Sequence, residues 1–98
     1  MKPTSHVAVV RLYGSLRELV GERDIEVALS DGATIRDILN RLEELRPVLA
    51  ERLLGEDGNI RPSVNVFVNG RDTRDLGGLD TPVTPDDEVT ILPPAAGG

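Results

Sequence analysis

Gly97-Gly98 ends the sequence behind Pro93-Pro94 and Ala95-Ala96, and these six residues are where the residue types could support chemistry. At this glycine content a terminal Gly-Gly arises by chance in about 1% of chains. The two prolines remove two backbone donors and stiffen the root of the segment. Beyond them no side chain is larger than a methyl group. Fully extended, residues 93–98 would reach about 20 Å. Such an arm is narrow enough to thread a channel. A carboxylate on Gly98, with no Cβ beside it, can come close to another protein's reacting centre. The plainer reading is a frayed chain end.

The other constellations that carry chemistry are missing. Cysteine is absent, which excludes disulfides, thiolate metal sites and a cysteine nucleophile. The single histidine, His6, lies near a loose terminus and reads as solvated rather than as part of a Ser/His/Asp set. Lys2 is the only lysine, so no glycine-rich loop ends in Gly-Lys-Ser/Thr. Asp86-Asp87-Glu88 lacks the oxygen-ligand spacing of a calcium loop and reads as a solvated turn before a strand. Gly77-Gly78 reads as a turn rather than a phosphate cradle. No enzyme active site, metal site or cofactor site is expected on this chain.

With 98 residues the chain is sized for one domain, and 39% hydrophobic with 29% charged residues is the balance of a soluble globular protein. No apolar run approaches the ~18–20 residues of a membrane span, and the start lacks a signal-type apolar stretch. The cytoplasm is the expected compartment. Net charge is −6, and residues 72–98 hold six acidic side chains against one basic. That balance argues against a nucleic-acid backbone and favours a basic protein surface as partner for the C-terminal quarter. One Phe, one Tyr and no Trp leave no stacking platform for single strands.

The elements that must position the tail follow from periodicity. Residues 1–5 are expected to be disordered. His6–Tyr13 alternates, with Ala8, Val10 and Leu12 on one face, and predicts a strand. Ser15–Gly21 predicts one short helical turn closed by glycine. Arg23–Leu29 predicts a second strand with Ile25, Val27 and Leu29 inward. Thr34 then caps a helix, with Asp37 at its positive end and an apolar stripe of Ile35, Ile38, Leu39, Leu42 and Leu45. Pro47 ends it near Arg46 and is expected to open a second, shorter helix through Val48, Leu49, Leu53 and Leu54 to Gly55. Val64, Val66 and Val68 line the inner face of a third strand, which Asn69-Gly70 reverses. Pro85–Asp87 turns into a last strand, Glu88–Leu92, with Val89 and Ile91 inward.

This order predicts an α+β, β-grasp fold: a mixed four- to five-stranded sheet over residues 6–92, one main helix across one face, and a tail over 93–98. A ferredoxin-like fold would require a second long helix. Phe67 and Leu92 fall on the outward sheet face opposite the helix, joined by Val7 or Val9 if the first strand is central. Such residues form either a docking patch or scattered surface hydrophobes.

In order along the chain, Leu12–Leu19, Thr34–Asp37, Val64–Gly70, Leu79–Pro82, Asp87–Pro94 and Gly97-Gly98 resemble the MoaD/ThiS family of ubiquitin-like small sulfur carriers. The early part is similar to the small subunit of molybdopterin synthase. Asn65 to Gly98 is also similar to carriers used for cysteine synthesis and to archaeal ubiquitin-like modifiers. Relative to the shortest members the chain has extra length around Leu53–Arg61. The resemblance implies that a ubiquitin-activating-enzyme-like adenylyltransferase (MoeB/ThiF type) docks the sheet face at Phe67 and Leu92 and draws in Pro93, Pro94, Ala95, Ala96 and Gly97. It implies adenylation and then thiocarboxylation at Gly98, with Mg-ATP and persulfide sulfur supplied by the activating enzyme and no cofactor bound here. The sulfur would pass to a molybdopterin synthase large subunit (MoaE type) or another accepting enzyme. With no Cys in the chain, sulfur can ride only on the C-terminus.

Overall fold

Period-two alternation builds the sheet of this computed structural model, which describes residues 6–93. Its strands are β1 (His6–Leu12), β2 (Asp24–Leu29), β3 (Asn65–Val68), β4 (Arg71–Asp72) and β5 (Glu88–Leu92), in the spatial order β2-β1-β5-β3-β4. β1 and β5 run parallel at the centre, and the other neighbours pair antiparallel. Two helices accompany them, α1 (Gly14–Val20) and α2 (Ile35–Leu45). This is the mixed five-stranded β-grasp arrangement that the order of the elements predicts. Residues 1–5, expected to be disordered, lie outside the described residues.

The core is the helix stripe set against the inward strand residues. Ile35, Ile38, Leu39 and Leu42 of α2 are fully buried against Ala8, Val10 and Leu12 of β1, Val27 of β2, Val66 of β3 and Val89 and Ile91 of β5. Each such aliphatic side chain contributes about 1.5–3 kcal/mol through burial. The start of α2 is held twice. The Asp37 carboxylate accepts the Thr34 N–H at 2.9 Å, and the Ile35 N–H donates to the Thr81 carbonyl at 2.9 Å. Thr81 is itself buried, its hydroxyl donating to the Gly78 carbonyl at 2.7 Å and accepting the Gly77 N–H at 2.9 Å.

The second helix expected between Pro47 and Gly55 does not form. Pro47–Leu49 makes a single 3₁₀ turn, and Glu51 takes a left-handed φ of 66° that breaks helical continuation. The backbone groups a helix would use pair elsewhere. Gly55 N–H donates to Asn59 O, Arg61 N–H donates to Leu53 O, and Leu54 bridges Ile60. Leu49, Leu53 and Leu54 are buried all the same, so their i, i+4 spacing is met by a compact hairpin, while Val48 stays exposed. The extra segment Leu53–Arg61 is this hairpin.

Asn69 and Gly70 both take positive φ (52° and 83°), the turn a two-residue hairpin requires between β3 and β4. Asn69 also ties the turn to β5. Its side-chain amide donates to Asp87 at 2.8 Å and its side-chain oxygen accepts the Glu88 N–H at 2.9 Å. The Thr84 N–H donates to the other Asp87 oxygen at 2.8 Å. That backbone bond first, and Asn69 second, hold the Asp87 carboxyl below its ordinary range. A carboxylate held low in the fold stabilises it above the unfolded value of about 3.9, and the contribution is lost as pH falls from there through the folded value. Asp87→Ala should therefore cost about 1–2 kcal/mol at neutral pH. Denaturant titrations of both proteins should show that gap closing below about pH 4; a gap of the same size at pH 3 would exclude the carboxylate as its source.

Candidate functional site

The tail is rooted at the centre of the sheet, because β5 lies between β1 and β3. Sheet pairing stops at Leu92, whose partner is Asn65, and Pro93 follows without a ladder bond. Pro93 packs on Gly14, the first residue of α1. Gly14 has φ +58°, and a Cβ built there would stand 2.9 Å from Pro93 Cγ and 3.5 Å from its Cδ. An L side chain is disfavoured by that backbone and obstructed by the proline ring. In the sequence Gly14 reads only as the end of a strand, with no sign of this seat. Pro94, Ala95, Ala96, Gly97 and Gly98 lie outside the described residues.

The sheet face opposite α2 carries the outward residues. β1 is central, so Val7 and Val9 both belong to it, Val9 being 37% exposed and Val7 half-buried. Phe67 sits between Thr90 of β5 and Asp72 of β4, and Leu92 lies opposite Asn65. Both face outward as expected, yet each is half-buried rather than open. Interior strands have neighbours on both sides, and those flanking side chains cover part of each residue. Tyr13 extends the outward row of β1 and is 38% exposed. The sequence carries a signal for it, since alternation through Val7, Val9 and Arg11 continues to position 13.

Ion pairs flank this apolar centre. Arg11 Nε donates to Asp24 at 3.0 Å, and its Nη1 lies 3.4 Å from Glu88. Arg74 pairs with Asp72 at 2.9 Å and also bonds the Asn65 side chain. The Arg11 hydrogen bond holds the Asp24 carboxyl low, and the Arg74 bonds do the same for Asp72. Those carboxylates remain charged at neutral pH and present a fixed polar rim to a docking protein. Among the described residues no three His, Cys, Asp or Glu side chains are grouped to hold a metal ion, and no helix is long and apolar enough to cross a membrane. What the arrangement offers chemically is a half-apolar face bordered by charge, with β5 ending at its centre in Pro93.

The model of the ThiS family matches residues 10–98. Small archaeal modifier protein 3 of Haloferax volcanii is 42% identical over 89 residues, covering 91% of this chain and 96% of that protein. Sulfur carrier protein CysO of Mycobacterium tuberculosis is 38% identical over 71 residues, 70% of this chain and 76% of its own. Among solved structures, the crystal structure of the Amycolatopsis orientalis BexX/CysO complex contains a chain 34% identical with a TM-score of 0.76. The match covers 93% of this chain and 99% of that one.

Proposed function

We propose, from the premise that this chain belongs to the ThiS family of small sulfur carriers and ubiquitin-like modifiers, that its working group is the Gly98 carboxylate. The observation that carries the reading is the family match running through Gly98 itself, on a tail rooted at the central strand. A carboxylate is a poor electrophile until it gains a good leaving group. An adenylyltransferase (MoeB/ThiF type) supplies one: a Gly98 oxygen attacks the α-phosphorus of Mg-ATP, pyrophosphate leaves, and an acyl-adenylate forms. A persulfide sulfur then attacks the acyl carbon and AMP leaves. A thiol cleaves the resulting S–S bond and leaves a thiocarboxylate. The chain contributes no catalytic side chain to these steps; it contributes the docking face and the arm.

The acceptor of the sulfur is set by the enzyme that takes the tail. Donation to molybdopterin through a large subunit of MoaE type is the destination read from the early part of the sequence, with cysteine, thiamin or tRNA thiolation as the other carrier destinations. A second reading is favoured by the 42% identity to an archaeal modifier. In that reading a target lysine amine captures the same adenylate, and Gly98 ends in an amide bond. Both readings share the first step.

The test is to incubate the chain with an activating enzyme proven competent on another carrier, Mg-ATP and a persulfide donor, and to measure its intact mass. The expected product is heavier by the exchange of one oxygen for sulfur, localised to Gly98. Absence of both a mass change and pyrophosphate release would remove the carrier reading. Higher-mass adducts joined through Gly98 in cells would favour the modifier. Phe67→Asp should weaken docking at least about tenfold by loss of a central apolar contact. Because Phe67 is half-buried, it should also cost about 1–2 kcal/mol of stability. Titration calorimetry with the activating enzyme, beside a thermal melt, separates the two. Unchanged affinity in a folded variant would remove the sheet face from the interface.

A further inference from the structure

Six of the ten arginines pair with a carboxylate: Arg11, Arg23, Arg36, Arg41, Arg46 and Arg74. Among the described residues Arg17, Arg52, Arg61 and Arg71 have none. Two of those four stand at the root of the tail. Arg52 and Arg61 line the same cleft as Pro93, a depression of about 390 Å³ floored by Leu16, Leu19 and Val64. Arg17 lies apart from them, in a separate depression on the other face of α1 with Gly14, Glu18 and Gly21. In a chain of net charge −6 the cleft sets two arginines against Glu51 alone. Glu56 borders a further depression that Arg61 and Glu51 also line, and neither glutamate pairs with these arginines.

The two cleft arginines are held in place by main-chain carbonyls. Arg52 Nε donates to the Val48 carbonyl at 3.1 Å, and Arg61 Nε donates to the Glu51 carbonyl at 2.9 Å. Glu51 adopts its left-handed φ of 66° in the same place, a backbone state that costs a non-glycine residue about 1–3 kcal/mol. Anchoring through Nε leaves the terminal guanidinium nitrogens available to a carboxylate from outside.

We propose that this cleft is a second recognition surface, fitted to an acidic segment with an apolar tip on the enzyme that takes up the tail. The inference rests on the reading of Gly98 as the working group. Its argument is reach together with charge. Five residues beyond Pro93 span at most about 17 Å, so an enzyme whose reacting centre holds Gly98 must bring its own surface against the tail root. The surface it meets there carries two arginines without carboxylate partners over an apolar floor, whereas at the sheet face Asp24, Glu88 and Asp72 are already paired with Arg11 and Arg74. The partner must therefore present carboxylates at the mouth of its tail channel.

The test compares the wild-type chain, Arg52→Glu/Arg61→Glu, Arg52→Gln/Arg61→Gln and Arg71→Glu with the same activating enzyme and Mg-ATP, reading pyrophosphate release. Arg71 is unpaired too but sits on the edge strand β4. The charge reversal should raise KM for the carrier at least about tenfold, with kcat at saturation preserved and the wild-type salt dependence of KM reduced. The neutral pair should fall between, and Arg71→Glu should match wild type. Equal KM in all four would overturn the proposal, as would an equal loss in Arg71→Glu, which would report net charge alone. A change in the sedimentation mass of the isolated chain on charge reversal would make the occupant a second copy and also overturn it. No turnover by the wild-type chain would instead count against the Gly98 reading.

Discussion

A chain lacking Gly97 and Gly98 is expected to fold as the full chain does and to lose adenylation altogether. Every buried residue among those described precedes Leu92, and the last ladder pair is Asn65 with Leu92. The core formed by the described residues is therefore closed by Ile91. Extending the chain by one alanine after Gly98 is the sharper variant, because it keeps every native residue and still displaces the carboxylate by about 3.5 Å. Misplacement of a reacting group by even 1 Å can cost about 100-fold, so pyrophosphate release should fall by at least that factor. Melting temperature and amide spectra should match wild type for both variants. If the extended chain were adenylated at the wild-type rate, the carboxylate of Gly98 would not be the nucleophile. If instead the truncated chain were to melt early, the tail would be part of the fold and its reading as an arm would fail.

The parts of this architecture that depend on neighbours in sequence could be read from residue types. Ala8, Val10 and Leu12 alternate inward because a strand has period two, and the structure buries all three completely. Ile35, Ile38, Leu39 and Leu42 share one helical face for the same kind of reason, and Asn69-Gly70 supplies the positive φ values its turn demands. What escaped the sequence depends on packing between distant segments. Leu49, Leu53 and Leu54 have helical spacing, but pairing of Leu54 with Ile60 and the left-handed Glu51 send the backbone into a hairpin. The half-burial of Phe67 follows from β3 lying between β5 and β4, and alternation alone carries no strand order. The candidate site divides in the same way. Gly98 is singled out by the sequence alone, behind a run of small residues and prolines, and lies outside the described residues. The seat of Pro93 on Gly14 joins two ends of the chain and leaves no local mark.

That seat yields the second large effect. Gly14→Ala places a Cβ 2.9 Å from Pro93 Cγ on a backbone already at φ +58°. The left-handed backbone alone costs an L residue about 1–2 kcal/mol, so some loss of stability is expected whatever happens to the tail. Gly14→Asn separates the two effects, since asparagine tolerates this conformation better than alanine yet carries the same Cβ. Both variants should release pyrophosphate at least about tenfold more slowly than wild type, because Pro93 must move and the arm then leaves β5 on a different path. The nuclear Overhauser effect between the Gly14 α-protons and the Pro93 ring, expected in the wild type, should have a weaker counterpart in both. Only the alanine variant should melt markedly early. Pro93→Ala removes the obstructing ring carbons, so adding it to Gly14→Asn should restore turnover toward that of Pro93→Ala alone. Rescue of this kind distinguishes steering of the tail from damage to α1, because a helix weakened at residue 14 gains nothing from a smaller residue at 93. A Gly14→Asn chain that turns over at the wild-type rate, even though its Pro93 ring has moved off residue 14, would show that the exit path of the arm does not limit its capture.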